Sequence, residues 1–170
     1  MDQSKLRKVV QSGDDKELSV VLNEMLVSDN KYQRLMAEGA AVMMRRGHDT
    51  RKIAKQLLDG EVKSPRLYNR KLSEFANVWS GDTTQKSIPS WVKPGDITIT
   101  RIGGRVSRFD PDNVPRNAIF VGLKPGEEEN FDVSALAYEL MNRIGTDELP
   151  LRGSMQKSVK VSNLKQVEIK

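Results

Sequence analysis

Arginine and lysine dominate the chemistry this sequence offers. Between Arg45 and Lys71 nine cations stand against three acids. That local excess is larger than the +5 net charge of all 170 residues, so the basic character belongs to one segment. Cations spaced along helices grip phosphates, and arginine and asparagine also reach base edges. The residues expected to contact DNA or RNA are therefore Arg45, Arg46, Arg51, Lys52, Lys55, Arg66, Asn69, Arg70 and Lys71. A fourth and a fifth helix joined by Gly60-Glu61-Val62-Lys63-Ser64 would have the rough proportions of a helix-turn-helix. On the fifth, Arg66, Asn69, Arg70 and Ser73 would share a stripe opposite Tyr68, Leu72 and Phe75. A solvated surface accounts for the same cations, because lysine and arginine are ordinary on exposed helix faces. A second basic set, Arg101, Arg105, Arg108 and Arg116, either extends that footprint or keeps a strand edge from aggregating.

Catalytic sets are nearly absent. The one histidine, His48, sits between glycine and aspartate in a loop signature and reads as solvent-exposed. Without cysteine there are no disulfides, thiolate metal sites or cysteine nucleophiles. No Walker-type phosphate loop occurs, and Ile102-Gly103-Gly104-Arg105 lacks dinucleotide spacing. Asp110-Pro111-Asp112-Asn113 alternates oxygen ligands of the kind that hold magnesium or calcium, yet those residues are also turn formers. Glu127-Glu128-Glu129 reads as a solvated acidic loop. The sequence thus points to no catalytic residue, no resident metal and no cofactor.

The elements that must carry these residues follow from hydrophobic periodicity. Lys5 to Val10 make a short first helix. Leu18, Val21, Leu22, Met25 and Leu26 recur at three-and-four spacing behind Asp14 or Asp15 as cap. Tyr32, Leu35, Met36, Ala40 and Met43 form a third helical face, closed by Arg45-Arg46-Gly47. Asp49 or Thr50 starts the fourth helix, with Ile53, Ala54, Leu57 and Leu58 inward. Ser64-Pro65 starts the fifth, burying Tyr68, Leu72, Phe75 and Trp79.

Past a linker of turn composition at 80–90 the period changes from helical to alternating. Ile97, Ile99 and Val106 alternate around a Gly103-Gly104 hairpin turn. Ala118 to Leu123 is a more apolar strand. Asp132 caps a helix with Val133, Leu136, Ala137, Leu140, Met141 and Ile144 on one face. Val159, Val161, Val167 and Ile169 give one or two last strands. Lys93-Pro94-Gly95-Asp96 and Lys124-Pro125-Gly126-Glu127 are two type II turns beside strands.

The expected fold class is α+β: an N-terminal helical bundle at 1–79, then a small α+β unit at 91–170 with a short, mostly antiparallel sheet covered by one helix. A 37% apolar, 30% charged composition is globular, not disordered. No window nears the ~18 consecutive apolar residues of a membrane span, and Met1 to Lys5 is not a signal peptide, so a cytoplasmic protein is expected. Three functions fit. The first is a non-enzymatic nucleic-acid-binding accessory or regulatory protein. The second is an assembly subunit of a virus particle or other large complex, with protein partners or as a homo-oligomer. The third is a small metal-dependent enzyme using Asp110 and Asp112.

Overall fold

The computed structural model describes residues 3–59, 70–81, 88–127, 132–153 and 157–169. Four helices open the chain: α1 (Gln3–Ser12), α2 (Asp15–Leu26), α3 (Lys31–Arg45) and α4 (Thr50–Asp59). Their ends lie where capping chemistry places them. Asp14 accepts from the Lys16 N–H, Asn30 from those of Tyr32 and Gln33, and Asp49 from that of Arg51, each satisfying a donor the helix start leaves open. At the end of α3, the Gly47 N–H bonds Met44 and the His48 N–H bonds Met43. Gly47 takes φ +81°, the left-handed turn that such a paired closure needs. The helices bury Leu6, Val9, Leu18, Leu22, Met36, Ala54 and their neighbours in one apolar cluster. Ser12 and Gly13 at the end of α1 meet Arg51 at the start of α4, so these two packed helices run antiparallel.

The expected fifth helix is replaced, over its described part, by three short elements. Arg70–Lys71 is a strand (β1), Leu72–Phe75 a single helical turn (α5), and Ala76–Ser80 a strand (β2). Its expected start at Ser64-Pro65, with Tyr68, lies outside the described residues. Leu72 and Phe75 are buried as the helical spacing requires. Beyond them Asn77, Val78 and Trp79 are weak helix formers, Val78 and Trp79 are good strand formers, and pairing with another strand decides their state. Trp79, expected on the face of Leu72, stacks instead on Phe120 at 5.7 Å.

The main sheet adds β3 (Ile97–Thr100), β4 (Val106–Arg108) and β5 (Ala118–Leu123) in the order β2-β5-β3-β4, antiparallel throughout. The β3–β4 hairpin turns through Gly103 and Gly104, both at positive φ. All six residues of β5 are buried, as expected of a strand covered on both faces. On one face Ile97, Ile99, Ile119 and Val121 pack beneath α6 (Val133–Arg143) through Leu136, Ala137 and Leu140. On the other, Phe109, Ala118 and Phe120 gather Trp79, Ile88, Trp91 and Val114.

The chain ends in β6 (Leu151–Arg152), β7 (Ser158–Val159), α7 (Val161–Gln166) and β8 (Glu168–Ile169). β6 pairs with β7, and β8 with β1. Val161, expected in a strand, begins a helix, whose buried Leu164 joins the sheet-side core. The class is α+β as expected, helices first and then a small antiparallel sheet with its covering helix. Helix α3 links the halves: Met36, Ala37 and Ala40 face the helical cluster while Leu35 lies in the sheet-side core. The Tyr32 hydroxyl reaches the Asp132 carboxylate at 3.1 Å.

Candidate nucleic-acid interface and an enclosed arginine

The basic residues divide by what surrounds them. Arg45, at the end of α3, donates to Asp110 at 2.7 Å, and Arg46 lies 3.9 Å from Asp112. These pairs tie α3 to the loop after β4. Asp110 also accepts the Asp112 N–H in a tight turn, so both aspartates are occupied as structural partners. Among the described residues no group of three histidine, aspartate or glutamate side chains is placed to hold a metal ion. His48 is exposed at the surface.

Arg70 is held three ways. It forks onto Glu127 at 3.1 and 3.3 Å, approaches Glu74 at 3.8 Å, and sits over the Phe75 ring at 5.5 Å. The stripe it was to share with Ser73 does not exist, because Arg70 is in a strand and Ser73 in the following turn of helix. Lys71 is exposed beside it. Arg66 and Asn69 lie outside the described residues, and the helix-turn-helix geometry is not formed over residues 70–80.

Arg51, Lys52 and Lys55 are exposed along α4. Arg51 reaches back to the Ser12 carbonyl at 3.5 Å. Neither they nor Arg7 and Lys8 on α1 enters any ion pair among the described residues. Helix α1 contains no acid at all, and its buried Leu6 and Val9 turn the intervening Arg7 and Lys8 outward. The packed α1–α4 pair therefore presents cations from both helices. Sequence reading missed the α1 contribution, since its three cations lie far along the chain from the obvious cluster.

The other arginines follow local needs. Arg101 donates to the Ser80 hydroxyl, tying the hairpin to the end of β2. Arg105 and Arg116 are exposed. Arg108, read as a surface or edge charge, is enclosed instead. Its guanidinium donates through Nε to the Gly95 carbonyl and through Nη1 to the Leu35 carbonyl (3.2 Å) and the Ser134 hydroxyl (2.6 Å). A Cβ on Gly39 would stand 2.5 Å from its Cζ, so α3 needs glycine there to let the group in. Burial pulls the Arg108 pKa down, opposed by the charges of Asp132, Asp96 and Glu38.

Around it two carboxyls are shifted the other way. Burial raises Asp96, opposed by the Lys93 N–H and by the charges of Lys93 and Arg108. Burial also raises Glu38, opposed by the Arg108 N–H and by the charges of Arg108, Arg105 and Arg34. Glu38 accepts that N–H at 3.3 Å on β4, which ends the sheet. A helix carboxylate thus occupies a donor that would otherwise invite another strand. Both proline-glycine turns form as expected, with Gly95 at φ +87° and Gly126 at +89°. Their fourth residues close onto Lys93 and Lys124, and the first turn delivers Gly95 and Asp96 to Arg108.

No family profile matches this chain, and no curated protein is detectably similar to it. Among the described residues no helix is long and apolar enough to cross a membrane.

Proposed function

We propose that the protein is a non-enzymatic nucleic-acid-binding accessory protein that grips phosphates with the outer face of the α1–α4 pair. The supporting observation is the exposure of Arg7, Lys8, Arg51, Lys52 and Lys55 on two packed helices, with no ion pair to an acid among the described residues. Cations left without internal partners keep their full attraction for a polyanion, and each phosphate they neutralise releases counterions. Arg45, Arg46 and Arg70 contribute less, since their charges already meet Asp110, Asp112, Glu74 and Glu127. The contacts are to backbone phosphate, so affinity depends on salt more than on sequence.

Fluorescence-anisotropy titration of labelled duplex DNA and single-stranded RNA at two salt concentrations tests this. Binding weakens steeply with salt in the wild type. Reversing Arg51, Lys52 and Lys55 together (R51E/K52E/K55E) lowers affinity at least ~10-fold and reduces the salt slope by about 3. No binding at low salt, or an unchanged affinity after the triple reversal, rejects the proposal and leaves this face as a solvated or protein-docking surface.

A further inference from the structure

The charges on the α1–α4 pair are not spread evenly along it. Antiparallel packing sets Ser12 and Gly13 against Arg51. One turn further along each helix therefore brings Lys55 level with Lys8. Acids gather at the end where α1 stops and α4 starts, and each is engaged there. Asp14 and Asp49 accept helix-start N–H groups, and Asp15 accepts from the Thr50 hydroxyl. Away from that end α1 has no acid, and α4 has none before Asp59, its last residue. A belt of exposed cations thus crosses both helices, Arg7 and Lys8 on one and Lys52 and Lys55 on the other, with Arg51 at its margin. On the α2 side it ends at Glu17, which shares a shallow hollow with Lys5 and Lys8.

The shape of this belt selects among polyanions. Two helices, each ~10 Å across and packed 8–10 Å apart, make a convex ridge ~20 Å wide. A major groove ~12 Å wide admits one helix but not the pair, so the ridge rests on the phosphates that border a groove. Neither α1 nor α4 contains an aromatic residue, so the ridge offers no ring on which an unpaired base could stack. Single strands are held by such rings inside a basic groove. A double helix supplies what the ridge can use, two rows of phosphates at fixed spacing with one charge per ~1.7 Å of axis.

Resting on the phosphate-gripping reading of this face, we propose that its ligand is a double helix. Arg7 and Lys8 serve the phosphates of one strand, and Arg51, Lys52 and Lys55 those of the other, across one groove. The paired phosphate rows are common to DNA and RNA duplexes.

The test titrates the full chain into labelled ~20-base-pair DNA and RNA duplexes and their separate, non-self-complementary strands, at ~50 and ~200 mM salt. Fluorescence anisotropy is expected to show a duplex bound at least ~10-fold more tightly than its own strands. The tighter of the two duplexes identifies the sugar. Reversing the α1 row (R7E/K8E) weakens duplex binding at least ~10-fold, as does reversing the α4 row (K52E/K55E), with circular dichroism confirming that both variants fold. If either variant does not fold, the comparison of duplex with strands on the wild type carries the test. Strands bound as tightly as duplexes, or duplex affinity unmoved in folded R7E/K8E, overturns this inference and leaves the phosphate-gripping reading standing. No binding of any probe at the lower salt overturns both.

Discussion

Arg51 and Arg108 carry the same charged group into opposite surroundings. Arg51 projects from the first turn of α4 into solvent, beside Gly13 and with the Ser12 carbonyl as its guanidinium's acceptor. Arg108 leaves the end of β4 and enters a space bounded by α3, α6 and the Gly95 turn, where its Nε and Nη1 donate to particular atoms. Water screens and solvates the first, so its worth lies in acting with its neighbours on a polyanion. The second is partly withdrawn from water and acts through geometry. A single exposed arginine is replaceable, whereas Arg108 is joined to the packing of three elements.

Removing each side chain should expose that difference most sharply. Arg108→Ala leaves the Gly95 carbonyl and the Ser134 hydroxyl without their donor and empties the space beside Gly39. Unsatisfied buried groups and lost packing of this kind cost about 2–4 kcal/mol. Arg51→Ala changes stability by no more than about 0.5 kcal/mol. Urea denaturation of both variants measures the gap. Similar losses in the two would mean that the enclosure of Arg108 contributes nothing beyond an ordinary surface contact.

The carboxyls around Arg108 give a second handle, because burial raises both Asp96 and Glu38 from ordinary values of 3.8 and 4.5. A carboxyl whose folded pKa is raised holds its proton more tightly when folded. Its contribution is therefore fully present below the unfolded pKa and is lost as pH rises through the folded one. Asp96→Asn removes that titration while keeping an oxygen for the Lys93 N–H. The stability of the variant relative to wild type should accordingly grow as pH rises from below 3.8 through the acidic range. Urea midpoints at stepped pH measure it. A constant difference across the range would show that Asp96 titrates alike in both states.

How far the sequence reveals these environments depends on whether a residue's fate is decided locally. Asp14, Asn30 and Asp132 announce their helices through short-range capping, and the Gly47 closure and the two proline-glycine turns follow from backbone preference. The alternation at Ile97, Ile99 and Val106 likewise marks the hairpin. The residues 76–80 are different. Their apolar spacing suits either period, and β5, some forty positions away, settles the matter by pairing. Val161 is misread for a similar reason, since a two-residue ladder on either side leaves little alternation to detect.

The site divides the same way. Exposed cations on α4 are legible because surface composition survives folding unchanged. Arg108 looked like the hairpin's other arginines, for its enclosure depends on Gly39, Leu35 and Ser134, distant in sequence. The signal available beforehand was weak: a glycine at position 39, in the middle of a long helix, where it costs stability unless something must approach closely.

Between these extremes stand the pairs at the end of α3, which show how little a charge contributes when only half withdrawn from water. Arg45 and Asp110 meet at 2.7 Å with side chains 54% and 23% exposed. A double-mutant cycle of Arg45→Ala and Asp110→Ala should give a coupling of about 0.2–1 kcal/mol, falling as salt is added. The same cycle on Arg46 and Asp112, 3.9 Å apart with Asp112 72% exposed, should give a coupling indistinguishable from zero. The order matters more than the values: coupling rises as the pair withdraws from solvent, toward the larger loss expected at Arg108. A coupling at Arg46–Asp112 as large as at Arg45–Asp110 would break that ordering. It would mean that the anchoring of α3 to the loop after β4, and not exposure, sets what each charge is worth.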